Sequence, residues 1–143
     1  QNLEDLTRNW TGKAPTFAEK IALFQQVASI SACMHKIGIC HRDFYLCHFL
    51  VQGQGEKQLT LIDLHRALVK KQLGRRWIIK DIAGLYFSAM DIGLGRKDLL
   101  RFIRLYTGRP LRAVLKKDIS FWRQVEQRAL KMKKSTVEAP VNF

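Results

Sequence analysis

From Phe17 onward, apolar residues fall three and four apart. Phe17, Ile21, Phe24, Val27, Ala28, Ile30 and Met34, with Ser31 among them, line one side of a helical wheel. Thr16 with Glu19 three positions later is a capping box, in which hydroxyl and carboxylate satisfy free backbone amides. The pattern predicts a helix over 17–36, with Gly38 as its stop. Upstream, 3–10 reads as a short helix ended by "GKAP". Downstream the period drops to two. "HFLVQ" (48–52) and "QLTLID" (58–63), separated by the turn-forming "GQGEK", predict a β-hairpin whose second strand ends at Asp63. Helical spacing returns near Trp77 or Asp81, runs to about Met90, and is broken by "DIGLG". Further helices are predicted at 97–107, closed by Gly108, at 110–117 and at 119–133, and "STVEAPVNF" reads as a frayed tail.

This is one domain over 1–143, mainly α with a small β-hairpin. It divides into a lead-in helix and linker (1–15), a long helix (16–37), a loop and hairpin (38–63), a basic segment (64–80), a helical subdomain (81–134) and a tail (135–143). There is no internal repeat. With 143 residues, 47% hydrophobic, the chain can bury a real core. No apolar run reaches the roughly 18 residues that span a bilayer. The polar start "QNLEDLTRNW" is unlike a signal or transit peptide, and the chain opens without Met, so a piece of a longer protein is expected. Cys33, Cys40 and Cys47 lack disulfide-scaffold spacing, which suits a reducing cytosol, and they read as buried, inert thiols rather than zinc ligands.

The net charge is +13 and uneven: residues 64–134 hold 19 of the 25 Lys and Arg but five of the 12 acids. Such a field attracts nucleic acid, anionic lipid or phosphorylated glycans and nucleotides. No stacking-aromatic pattern accompanies it, so nucleic acid is not expected as a partner.

One stretch stands apart, "HRDFYLCHFL" (41–50). An imidazole, a guanidinium and a carboxylate stand in a row, and His48 follows where apolar neighbours predict burial. A hairpin returns the chain to where it started, so Asp43 and His48 should meet Asp63 and His65. Two carboxylates held close are costly unless a cation lies between them. Asp63 suits Mg²⁺ completed by phosphate and water, and Asp43 suits a proton acceptor for a substrate hydroxyl. Singly, these residues also read as a capped turn, a strand-end Asp and a core histidine. Their order around a hairpin favours a site.

At these residues the chain resembles the C-terminal lobe of a protein-kinase-like phosphotransferase. "HRD" matches the catalytic-loop triplet, His48 stands where that loop has its metal-binding Asn, "DLH" (63–65) stands in place of Asp-Phe-Gly, and "KDIAGLYFSA" matches the helix whose leading Asp braces the loop. With "LIDLHRA", "RRW", "MDIGL" and the opening "LEDLTRNW", the chain most resembles the lipopolysaccharide core heptose(I) kinase family, the WaaP/RfaP type of Gram-negative bacteria. The resemblance implies a kinase that uses ATP and Mg²⁺ to phosphorylate an inner-core heptose hydroxyl of lipopolysaccharide, in the cytoplasm and peripheral to the inner membrane's anionic cytoplasmic face. It implies Asp43 as the catalytic base, Asp63 and His48 as metal contacts, and His41, Arg42 and Asp81 as braces of the loop. His65, Arg66, Arg75 and Arg76 become candidates for phosphate or substrate contacts.

Three departures qualify this. Imidazole is a poor Mg²⁺ ligand, so His48 can contact phosphate instead. Tyr45 stands where many protein kinases have Lys two residues after the catalytic Asp. The short segment after Asp63 lacks Ala-Pro-Glu, which suits a glycan acceptor rather than a peptide. A Gly-rich phosphate loop and a strand Lys with a partner Glu are also missing, so an N-terminal lobe is expected outside this chain, leaving it weak toward ATP and inactive alone, with exposed lobe-interface surface. Rival readings are a kinase for a Kdo sugar or aminoglycoside, and a non-catalytic basic pseudokinase on anionic membrane.

Overall fold

The structure, a computed structural model, describes residues 1–138. It is mainly helical, with two small two-stranded sheets. The elements are α1 (Leu3–Thr7), α2 (Phe17–Lys36), β1 (Ile39–Cys40), β2 (Phe49–Gln52), β3 (Gln58–Leu61), β4 (Leu68–Val69), α3 (Arg75–Ser88), α4 (Arg96–Thr107) and α5 (Leu111–Glu138). The long helix starts and ends where its sequence signals place it. Thr16 Oγ1 accepts from Glu19 N at 3.2 Å and Glu19 Oε2 from Thr16 N at 2.9 Å, a cap worth about 1 kcal/mol. The two helices expected on either side of position 118 are the halves of α5, kinked at Asp118 (φ −119°).

Several boundaries differ. α1 closes at Thr7, whose hydroxyl turns back onto Leu3 O at 2.8 Å. His48 lies in a 3₁₀ turn, Leu46–His48, ahead of β2, and is partly rather than fully buried. α3 starts at Arg75, before the expected Trp77 or Asp81. The tail expected to fray from 135 is helical through Glu138, and Thr136 Oγ1 donates to Met132 O at 3.0 Å; no Gly or Pro interrupts the helix there. Residues 139–143 of that tail lie outside the described residues. Among the thiols, Cys40 is buried, Cys47 is partly so, and Cys33 is exposed. Position 33 falls on the outer face of α2, which burial of Ser31 and Met34 fixes.

β2 and β3 form the expected antiparallel hairpin, Phe49 opposite Leu61 and Gln52 opposite Gln58. Gln26 anchors it to α2, accepting from Leu59 N and donating to Lys57 O at 2.8 and 2.7 Å. The antiparallel pair β1–β4, Ile39 with Val69 and Cys40 with Leu68, was not expected. Two-residue strands carry no periodicity. The pair explains Gly38 beyond its role as a stop: at φ +94° a Cβ there would lie 1.9 Å from Lys70 O.

α3 is the central element. On one side Leu85 and Ala89 join Leu23, Val27, Phe44 and Phe49 in a core under α2 and the hairpin. On the other, Ile79, Ile82 and Ala83 pack on Val114, Trp122 and Val125 of α5, so the aromatic face of the C-terminal helix is core. Phe44 is 1% and Phe49 0% exposed; each such ring contributes about 2–3 kcal/mol by burial. An apolar cavity of about 640 Å³, lined by Leu23, Val27, Ile92, Leu99 and Trp122, opens between the helices.

Candidate active site

The loop between β1 and β2 hangs from one buried carboxylate. Asp81 Oδ2 accepts from His41 N at 2.8 Å and Oδ1 from Arg42 N at 2.9 Å. His35 Nε2 on α2 gives Oδ2 a third donor at 2.8 Å. Burial opposes ionisation of Asp81, but these donors outweigh it and hold the carboxyl below its ordinary range. Burial pushes the Tyr106 hydroxyl up. Its O–H, 2.8 Å from His35 Nδ1, therefore donates there and leaves His35 Nε2–H for Asp81. The relay Tyr106, His35, Asp81 joins α4, α2 and α3 behind the loop. Neither His35 nor Tyr106 was foreseen. The one available signal was a histidine beside Met34 on the buried side of α2.

The loop's own geometry is tight. Arg42 (φ 76°) and Asp63 (φ 64°) are the described non-glycine residues with left-handed backbone, and both belong to the expected site. His41 is fully buried. Asp43 N donates to its Nδ1 at 3.2 Å, so Nε2 carries the proton given to Ile62 O at 2.8 Å. His41 thereby ties the loop to the strand end before Asp63, and with both nitrogens engaged it is not a metal ligand. Gly84 lets α3 approach: a Cβ there would lie 3.2 Å from Phe44 O and from the Tyr45 ring. Ser88 Oγ accepts from Leu46 N at 3.0 Å.

The hairpin brings the two carboxylate positions into one neighbourhood. His48 Nδ1 lies 2.6 Å from Asp43 O and must donate to it. Its ring stacks on His41 at 5.5 Å. Its other nitrogen, Nε2, lies 3.3 Å from Asp63 Oδ2, and His65 Nδ1 lies 3.5 Å from Asp63 Oδ1. Two lone pairs facing each other across 3.3 Å call for a proton or a metal ion between them. Among the described residues no three His, Cys, Asp or Glu converge as a metal site. Asp63 and His48 are the residues here that could hold a divalent cation.

Arg66, expected among the phosphate or substrate contacts, has its Nη1 2.5 Å from Asp43 Oδ1. Among the described residues Asp43 Oδ2 has no hydrogen-bond or ion-pair partner, and the side chain is 17% exposed. Arg75 turns away, onto Ser120 and Phe121 of α5, so it is not brought to this cluster. Arg76 lies over the Trp77 ring. Arg42 braces the loop through its backbone, and its guanidinium points toward Trp77. Leu64 stands exposed beside Asp63. The Cys40 thiol, pushed up to about 12 by burial and by Asp81, is inert.

The family model described as "Lipopolysaccharide kinase (Kdo/WaaP) family" matches residues 1–106. The lipopolysaccharide core heptose(I) kinase WaaP of Escherichia coli is 39% identical over 141 residues, 95% of this chain and 53% of the relative. The protein of the same name from Pseudomonas aeruginosa is 41% identical over 136 residues, 92% and 51% of the two chains. This chain thus spans about half the length of the curated relatives it matches. A solved structure of WaaP in complex with acyl carrier protein superposes with a TM-score of 0.84 at 41% identity, over 91% of this chain and 56% of that one.

Proposed function

This chain belongs to the lipopolysaccharide kinase (Kdo/WaaP) family, and we propose that it forms the catalytic-loop half, a protein-kinase-like C-lobe, of an ATP-dependent kinase for an inner-core heptose hydroxyl of lipopolysaccharide. The observation that carries this reading is the placement of Asp43 and Asp63 beside His48, whose Nδ1 meets the Asp43 backbone oxygen and whose Nε2 faces the Asp63 carboxylate.

Asp43 Oδ2 receives the proton of the acceptor hydroxyl while Arg66 holds Oδ1 in place. The hydroxyl oxygen forms its bond to the γ-phosphorus of ATP as the bond to the ADP oxygen breaks. Asp63 would hold Mg²⁺, with His48 Nε2 as a second metal or phosphate contact, and the ion would neutralise charge on the phosphates. Asp81 and His41 keep Asp43 and Asp63 at fixed separation. The remaining grip on ATP is assigned to an N-terminal lobe. The +13 charge supports a peripheral position at the anionic cytoplasmic face of the inner membrane, at about 1 kcal/mol per near-surface Lys or Arg.

Labelled ATP with purified core glycolipid and the full-length protein tests this. Asp43→Ala should lower transfer by about 10²–10⁴-fold; wild-type transfer by that variant refutes the role. A panel including Kdo sugars and an aminoglycoside identifies another small-substrate kinase. Absence of transfer to any acceptor, with binding to anionic membrane retained, identifies a pseudokinase.

A second reading concerns a partner. The solved relative is in complex with acyl carrier protein, and the 640 Å³ apolar cavity here, on a basic chain, supports a similar acidic, acylated partner. Co-purification of acyl carrier protein, lost on filling the cavity with Val27→Trp, is the expected result.

A further inference from the structure

Four cations surround one indole. Around the Trp77 ring centre stand Arg76 Cζ at 4.5 Å, Lys70 Nζ at 5.6 Å, Lys80 Nζ at 5.9 Å and Arg42 Cζ at 6.0 Å. They come from three places in the chain: the loop ahead of Asp43, the residue after β4, and the first turns of α3. The β1–β4 pair makes the cluster, because Lys70 N donates to Gly38 O at 2.8 Å and so sets Lys70 beside the strand that leads into Arg42. None of the four forms an ion pair with a described carboxylate. The two acids adjacent to them in sequence are engaged elsewhere: Asp81 accepts three N–H donors, and Asp43 pairs with Arg66. Arg42 Nε is buried and has no hydrogen-bond partner among the described residues. The start of α3 adds the same sign of field. Its cap, Gly74, offers no side-chain acceptor, and its first turn holds Arg75 and Arg76 but no acid.

Like charges gathered this closely repel, and the indole face offsets that only in part. An oxyanion among them would cancel the repulsion. Arg42 immediately precedes Asp43, so the cluster shares the loop that carries Asp43.

We infer that Arg42, Lys70, Arg76 and Lys80 form an anion subsite around Trp77 that holds a carboxylate or phosphate of the acceptor glycan and selects acidic acceptors. Its place in acceptor choice rests on the kinase reading above; the binding of the anion does not.

The test uses the full-length protein and the triple variant Lys70→Gln, Arg76→Gln, Lys80→Gln, with Lys70→Arg and Lys80→Arg as charge-keeping controls. In the first arm a sugar acid and its methyl ester are titrated calorimetrically. The acid should bind wild type at least 10-fold more tightly than the ester, the triple variant should lose that preference, and the controls should keep it. Equal binding of acid and ester to wild type, or a preference that survives in the triple variant, overturns the subsite. This arm needs no phosphotransfer, so failure of the kinase reading leaves it intact. In the second arm, the ratio of kcat/KM for acidic over neutral acceptors should fall at least 10-fold in the triple variant, through KM. A fall carried by kcat overturns the assignment to acceptor binding. In the third arm, binding to vesicles of phosphatidylglycerol should weaken no more in the triple variant than in a charge-matched control, Arg112→Gln, Lys116→Gln, Lys117→Gln, on exposed positions of α5. A loss well beyond that control, with sugar-acid binding unchanged, reassigns the cluster to lipid headgroups and overturns the glycan proposal.

Discussion

His35 Nε2 lies 2.8 Å from Asp81 Oδ2, in a region where both side chains are almost wholly shielded from water. Through that contact α2 and α3 jointly hold the backbone of Arg42, and so the position of Asp43.

Replacing Asp81 by Ala should therefore cost about 3 kcal/mol, because three donors lose their acceptor in the interior. Urea denaturation measures it. Loss of less than about 1 kcal/mol would show that the loop hangs from something else.

The same carboxyl gives a pH signature. Its native pKa lies below the ordinary value, which is about 3.9 in an unfolded chain. Its stabilisation is then present above pH 4 and lost as pH falls through the native value. The stability gap between wild type and Asp81→Asn should be flat from pH 5 to 7 and shrink below pH 4. A gap that widens in acid contradicts the ionised state.

Tyr106→Phe removes one donor from His35 while keeping the ring that packs against Trp122. The expected loss is about 1 kcal/mol, with phosphotransfer reduced only modestly. Thermal melting and initial rates report the two effects separately.

Gly84→Ala pushes a methyl against Phe44 O and the Tyr45 ring, each 3.2 Å away. Overpacking here should cost about 1–3 kcal/mol. Because the clash bears on the two residues after Asp43, transfer rate should fall further than stability accounts for. Restored rates at lower temperature, with the variant fully folded, would rule this out.

The thiols should separate cleanly. Iodoacetamide at pH 8 should label exposed Cys33 first, Cys47 more slowly, and Cys40, pushed up to about 12, only after unfolding. Peptide mass spectrometry of timed samples decides the order.

Much of this protein was written locally. Helix 17–36 and its cap, the 48–63 hairpin and the break at 118 all follow from side-chain spacing, turn residues and capping groups a few positions apart. The nearness of Asp63 to His48 followed from the hairpin, because antiparallel strands must return. The motif residues 41–43, 48, 63 and 81 were likewise visible as a set. What stayed hidden depends on partners that only packing selects. His35 meets Asp81 and Tyr106 across 46 and 71 positions, Arg66 reaches Asp43 across 23, and four cations close around Trp77. The left-handed backbone of Arg42 and Asp63 is of the same kind, since nothing in an Arg or an Asp demands it and the surrounding hydrogen bonds impose it. Short-range sterics and periodicity are properties of the chain itself, whereas a carboxylate's choice among distant donors is made only when burial removes water as the competitor.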